Sequence, residues 1–170
     1  VKRFLIAGAA WLVLAAPASA ATYSAVAKVP AVVWVTDVPP SPPPDVAIRQ
    51  TMKAFVPELA IVPVGTAVTF PNDDPFYHSV YSDSPGNAFD IGLYDTGPGK
   101  SVRFSVPGVV DIHCHVHGRM HATLIVVDGP YAQTTMPNEP FHIDGISAGR
   151  HTVHVWTGGS DVVTTTVDLK

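Results

Sequence analysis

Short runs of β-branched and aromatic residues recur after residue 21, each cut by Pro, Gly, Asn or Asp. No window shows sustained i, i+3, i+4 apolar spacing. Apolar runs of four to eight residues, some alternating with polar ones, have the length of strands rather than helices. The pattern predicts strands over 32–35, 47–50, 58–62, 67–71, 79–82, 101–106, 108–113, 122–127, 141–144, 149–156 and 162–168. Strands spaced so regularly indicate an all-β sandwich or barrel. The stretch Pro39-Pro40-Ser41-Pro42-Pro43-Pro44 lacks the N–H groups a ladder needs and predicts an extended polyproline linker. A second break falls at Asp128-Gly129-Pro130. The two breaks set off a central block, residues 45–129, and no internal repeat is present.

Composition narrows the class. Of the 170 residues 46% are hydrophobic and 14% charged, against roughly 25% charged in an average soluble domain. So apolar a chain is not a disordered one. The 17 prolines argue against a helical bundle. The length allows one domain or two small ones. A formal charge of -4 excludes a nucleic-acid binder that works through a basic face. The single cysteine excludes an intrachain disulfide.

The start of the chain predicts an address. Lys2 and Arg3 precede an apolar run from Phe4 to Ala16, followed by Pro17-Ala18-Ser19-Ala20-Ala21. A basic start, a short apolar stretch and an A-x-A site describe a secretory signal peptide, residues 1–20, cleaved after Ala20. The run is too short for a span of about 20 residues. The expected mature protein is periplasmic, with no membrane span. Its formal charge falls to -6 as Lys2 and Arg3 are lost. Asp73, Asp74, Asp83, Asp90 and Asp95 lie close in sequence. They predict either an acidic surface that favours a basic partner or simply soluble loops.

The densest chemistry is Asp111-Ile112-His113-Cys114-His115-Val116-His117-Gly118-Arg119-Met120-His121. A lone Cys in an oxidising compartment needs protection or a task. Burial as a small apolar residue is the plain alternative. Here a strand end turns at Gly118, with a His three residues beyond the Cys and a Met three beyond that. Upstream, Asn72-Asp73-Asp74-Pro75-Phe76-Tyr77 leads to His78. Two imidazoles, one thiolate and a weak axial thioether form the blue-copper pattern. Thiolate and thioether suit Cu(I), and imidazole suits both oxidation states. A compromise geometry lets the metal change charge with little ligand movement. A catalytic Cys–His pair would need an oxyanion hole, usually at a helix N-terminus, and no helix is predicted. Met is a poor zinc ligand.

These motifs resemble the cupredoxins. The loop Cys114-x-x-His117-x-x-Met120 is similar to that of amicyanin, and Phe70-x-Asn72-x-Asp74 before His78 resembles amicyanin and plastocyanin relatives. Phe55-Val56-Pro57, Val62-Pro63-Val64-Gly65-Thr66, Phe89-Asp90-Ile91-Gly92-Leu93-Tyr94 and Pro107-Gly108-Val109-Val110 resemble periplasmic methylamine-utilisation or plastocyanin-like proteins. The resemblance covers residues 45–129. It implies a Greek-key β-sandwich with copper under one end. It implies His78, Cys114 and His117 as equatorial ligands, Met120 as axial ligand, and His117 near the surface as the electron port. One departure is Ser79, where many cupredoxins carry an Asn that ties the ligand loops together; Ser can donate one hydrogen bond, which predicts a looser link and a shifted potential. Another is the set His113, His115 and His121. In an extended segment His113 and His115 point opposite to Cys114. They read either as edge histidines or as a second copper site or capture surface. His121 is also a rival to Met120 as the fourth ligand.

The flanks carry their own pattern. Phe141-His142-Ile143-Asp144-Gly145-Ile146 and Ala148-Gly149-Arg150-His151-Thr152-Val153-His154-Val155-Trp156 resemble the end of carboxypeptidase-regulatory-like, transthyretin-type sandwiches. Ala31-Val32-Val33-Trp34-Val35 resembles an early strand of the same module. About 40 residues are too few for an independent core. Residues 21–44 and 130–170 are therefore expected to pack together as a small β-sandwich, with Trp34 and the strand 149–156 sharing one core and the central domain inserted between them. His142, His151 and His154 read as ordinary surface or core histidines.

The expected function is single-electron transfer by a mononuclear copper protein that is not an enzyme. Its partner would be a cytochrome or dehydrogenase with a basic docking face, meeting it near His117. The alternative is copper storage, delivery or resistance. An oxidase-type red copper enzyme would need an open coordination position, which Met120 argues against.

Overall fold

The computed structural model describes residues 20–36, 45–129, 131–159 and 161–170. All but Ala20 of the expected signal peptide 1–20, the whole proline stretch 39–44 and Pro130 lie outside them. All the regular elements described are strands. In chain order they are β1 (Ala20–Val26), β2 (Ala31–Val35), β3 (Val46–Ala47), β4 (Arg49–Thr51), β5 (Ala54–Val56), β6 (Leu59–Pro63), β7 (Ala67–Asn72) and β8 (His78–Ser82). They continue as β9 (Phe89–Tyr94), β10 (Gly97–Arg103), β11 (Gly108–His113), β12 (His121–Val127), β13 (Tyr131–Thr135), β14 (Pro140–Ser147), β15 (Gly149–Trp156) and β16 (Val162–Leu169). Among the described residues no helix is long and apolar enough to cross a membrane.

The central block forms a β-sandwich. One sheet has the order β10-β7-β4-β5, with β3 also on β7, and the other β6-β12-β11-β8-β9. Alternation sets the faces. Val110 and Ile112 of β11, and Ala122, Leu124 and Val126 of β12, point inward, where they meet Phe55, Phe70, Val80 and Phe104. Cys114 and Met120 belong to the same core. Intervening residues such as Asp111 and His113 therefore take the outer face.

The flanks pair with each other. β2 lies between β13 and β15 in the order β13-β2-β15-β16, and β1 pairs with β14. All five residues of β2 are buried. Ala31, Val33 and Val35 pack on Phe141, Ile143 and Ile146. Val32 and Trp34 pack the other way, on Ile125 and Val127 of β12. A strand covered on both faces reads as a continuous apolar run, and Leu124-Ile125-Val126-Val127 of β12 is another. Trp34 and Trp156 do share one cluster, but it is the one against β12, not the one on β14. Gly129 is required here because a Cβ would collide with the carbonyl oxygen of Val35.

Four strands escaped the apolar pattern: β1, β5, β9 and β13. Each is an edge strand or, for β1, half of a two-stranded pair. An edge strand needs no two-sided apolar run, and exposed polar residues protect it. The strand expected over 101–106 is instead β10, which starts at Gly97 and ends at Arg103. Beyond it Phe104 leaves the ladder, its N–H donating to Thr66 O at 2.9 Å.

Candidate metal centre

Three short segments build the site. The first runs from the end of β7 to the start of β8. Asn72 is buried; its side-chain oxygen accepts the Asp74 N–H at 3.0 Å and its amide donates to Phe76 O at 2.8 Å. This closes the loop so that Asp74 and His78 face each other. The second segment is the two-residue turn Met52-Lys53 between β4 and β5, with φ of 53° and 58°. Both of its amide N–H groups donate to the Asp74 carboxylate, at 2.7 and 2.9 Å. The third is the loop from Cys114 to Met120, closed by the Met120 N–H donating to His117 O at 2.8 Å.

His78 is fully buried and its Nε2 lies 2.8 Å from Asp74 Oδ2. An Nε2–H donated to that carboxylate leaves the Nδ1 lone pair free. His78 Nδ1 stands 3.8 Å from Cys114 Sγ and 3.1 Å from His117 Nδ1. The ligand atoms of His78, Cys114 and His117 all lie within 4.8 Å of one another. Donors sharing one ion at about 2.0–2.3 Å each are separated by such distances. Met120 is 2% exposed, and its neighbour along the chain, His121, is exposed.

The electrostatics favour a thiolate. Burial pushes the Cys114 thiol up, but the N–H groups of Ser79 and His117, the His78 ring and the Val116 N–H outweigh it and bring it to about 7. Ser79 contributes an N–H at 3.5 Å and a hydroxyl at 3.7 Å from Sγ. The same hydroxyl accepts the His115 N–H at 2.8 Å. Serine therefore ties the two loops together instead of slackening them. Burial pushes Asp74 up too, yet the Lys53 N–H, His78 and the Met52 N–H hold it below its ordinary value. His117 is lowered by burial and by the nearby His78 and Lys53. Half-buried Phe76 covers the two imidazoles, with ring centroids 5.2 Å from His78 and 5.6 Å from His117.

The other histidines lie elsewhere. His113 and His121 face each other across β11 and β12, ring centroids 6.4 Å apart. His115 stacks on Tyr81 at 3.9 Å and meets Asp90 at 3.1 Å. Tyr81 thus stands between His115 and the pair. In the flanks, exposed His142 meets Ser24 at 2.7 Å, buried His151 meets Ser147 O at 2.8 Å, and His154 stacks on Trp34 at 5.0 Å.

The five aspartates do not form one acidic surface. Asp74 is 6% exposed, Asp73 is paired with Arg49 and Asp90 with His115. What the motifs did not single out is the work of Asp74, Phe76 and the Met52–Lys53 turn. The i, i+4 spacing of Asp74 and His78 was a usable signal. The turn had none, because Met-Lys lacks the Asn-Gly signature of left-handed turns.

No protein-family model matches the chain, and no curated protein matches it. Solved structures do. A novel purple cupredoxin from Nitrosopumilus maritimus is 26% identical over 49% of this chain and 100% of its own, with a TM-score of 0.44. An oxidised single-site variant of amicyanin is 23% identical over 49% of this chain and 82% of its own, TM-score 0.44. A copper-containing nitrite reductase from Thermus scotoductus SA-01 is 24% identical over 54% of this chain and 24% of its own, TM-score 0.47. Solved structures to which this all-β chain is similar thus include cupredoxins and a copper-containing nitrite reductase.

Proposed function

We propose that His78, Cys114 and His117 hold one copper ion through two Nδ1 atoms and a thiolate, with Met120 as a weaker fourth donor, and that the protein transfers single electrons. The observation that carries this reading is the convergence of these three ligand atoms, with a thiol lowered to about 7 among them. Copper, when bound, supplies a one-electron couple. The chain's task is to keep the donors fixed and dry. Asp74 fixes the His78 tautomer, Ser79 holds the sulfur, and Phe76 screens the imidazoles from water. His117 alone of the three is half-exposed, which makes it the port for the electron. Buried His78, Cys114 and Met120 leave little room for a substrate, which supports a carrier rather than an enzyme.

The partner in this reading is a redox protein, such as a cytochrome or dehydrogenase, docking around His117 in the periplasm. The surface beside His117 carries Lys53 and Arg119 with exposed Met52, Tyr77 and Val116. It favours a partly apolar face with acidic rather than basic charge. Residues 45–129 serve as the copper domain, and residues 21–44 and 130–170 as the small sandwich that carries it.

The test is the visible absorption and EPR spectrum with one equivalent of Cu(II), beside Cys114→Ala, followed by cycles of reduction and oxidation. An intense band lost in the variant and reversible on cycling supports electron transfer. A pale spectrum indifferent to Cys114 leaves copper storage or delivery, the reading that the adjacent His113 and His121 favour.

A further inference from the structure

Among the described residues the outer face of the sheet β6-β12-β11-β8-β9 is covered at one end only. Val109, Ile125 and Val127 lie under β2 and β15. Farther along, Asp111, His113 and His121 occupy the same face, half-buried or exposed. We propose that His113 and His121 together form a second site for a divalent transition-metal ion, Cu(II) by preference, with Asp111 on the same face of the sheet. It lies on the opposite side of the sheet from Cys114 and does not depend on the function proposed for the thiolate centre.

Register supplies the first argument. His113 is the direct partner of His121 in the antiparallel pair β11–β12. A six-pair ladder holds the two backbones, so binding needs only side-chain rotation. Two imidazoles bound to one ion at about 2.0–2.1 Å place their ring centroids roughly 4.5–5.2 Å apart when cis or tetrahedral and roughly 6.4 Å apart when trans. The observed 6.4 Å matches the trans limit, and side-chain rotation closes the pair for a cis arrangement.

Occupancy of the other histidines supplies the second. Among the described residues the histidines paired with a carboxylate are His78 and His115. Asp90 and the Tyr81 ring hold His115 away, so it is not a ligand here. His113 lines an open polar hollow with Asp83, Ser84 and Asp111. Two carboxylates beside an imidazole lower the electrostatic cost of bringing in a cation. Imidazole and carboxylate donors without a thiolate suit intermediate divalent ions, among which Cu(II) binds most tightly. Copper held there would lack the intense thiolate band.

The experiment is a Cu(II) titration followed by visible absorption and EPR together. In the unaltered protein the thiolate band saturates at one equivalent, and a second, visibly pale EPR signal then grows and saturates at another. His113→Gln/His121→Gln keeps the first and loses the second, while His115→Gln keeps both. A second equivalent that persists in the double variant, or never appears in the unaltered protein, overturns the site. Loss of the thiolate band with the pale signal intact counts against the electron-transfer reading alone. Should the double variant fail to fold, Zn(II) added to unaltered protein already holding one equivalent of Cu(I) decides. Shifts of the His113 and His121 ring resonances support the site, and unchanged resonances overturn it.

Discussion

Asp74 meets His78 at 2.8 Å while accepting the amide N–H groups of both Met52 and Lys53. One buried carboxylate thus orients the buried His78 imidazole and anchors a turn from another strand pair. The turn places two ordinary residues at left-handed φ, normally the province of Asn-Gly. Such conformations cost about 1 kcal/mol or more each and persist where surroundings enforce them. Here the carboxylate offsets that cost. Asp74→Ala strands three donors, each costing about 1–3 kcal/mol when buried. It is expected to lower the thermal midpoint strongly and to weaken copper binding by about 10–100-fold. Because the carboxyl is held below its ordinary value of 3.8, its contribution is present above that pH and is lost as pH falls through the folded value. Acid unfolding of the apo-protein followed by circular dichroism checks this: Asp74→Asn should flatten the acid limb, and an unchanged limb would refute the role.

The Cys114 thiol, lowered to about 7 from an ordinary 9.0, makes a separate pH prediction. Between these values the unfolded chain binds more protons than the folded one. Apo-protein stability therefore rises as pH goes from about 7 to 9 and falls away as pH drops through 7. Thiolate ultraviolet absorbance of the apo-protein should titrate near 7. Ser79→Ala removes the hydroxyl donor and leaves the N–H, so the midpoint should move up. A midpoint unmoved by Ser79→Ala would show that the backbone amides alone set it.

Much of this was legible in the residues. The central strands announced themselves by apolar runs that alternate or stay buried, such as β2 and β12. Cys114 and His117 were readable from their loop spacing, whereas His78, far upstream, was reached through the resemblance of its loop to those of cupredoxins. Edge strands such as β9, with Asp90 and Gly92 inside it, carry no such signal, because one side and one edge face water. The choice between an acidic surface and soluble loops could not be made from the sequence, which counts charge and not burial: Asp74 faces inward and Asp73 meets Arg49. The separation of His115 from His113 and His121 depends on Tyr81, whose place between them follows from sheet pairing far along the chain.

Tyr94 ties the strand opposite His78 to the core. Its hydroxyl donates to Phe70 O at 2.8 Å and accepts from the buried Gln50 amide. Burial raises its pKa to about 12, with the nearby Cys114 adding to the rise and Gln50 opposing it. Since the folded state holds this proton more tightly, stability falls as pH rises from about 10 to 12. Tyr94→Phe should cost about 1–3 kcal/mol at neutral pH, because Gln50 and Phe70 each lose a partner. It should also soften the alkaline limb, as read by unfolding at a series of pH values. A variant that keeps the same alkaline slope would place that titration elsewhere.

Trp34 decides whether the flanks and the central sandwich melt together. It packs on Ile125 and Val127 of β12, stacks on His154, and its Nε1–H reaches Asp128 at 3.4 Å. Val33 and Val35, its neighbours, face the flank core instead. Removing the indole opens the layer between β2 and β12 without emptying either neighbouring core. Trp34→Ala is expected to cost about 3–5 kcal/mol and to split one calorimetric transition into two, with the flank sheets melting first. The copper-thiolate spectrum should survive the first transition, because none of its donors lies in the flanks. A single transition at lowered temperature, with the spectrum lost throughout, would instead make the two sandwiches one cooperative unit.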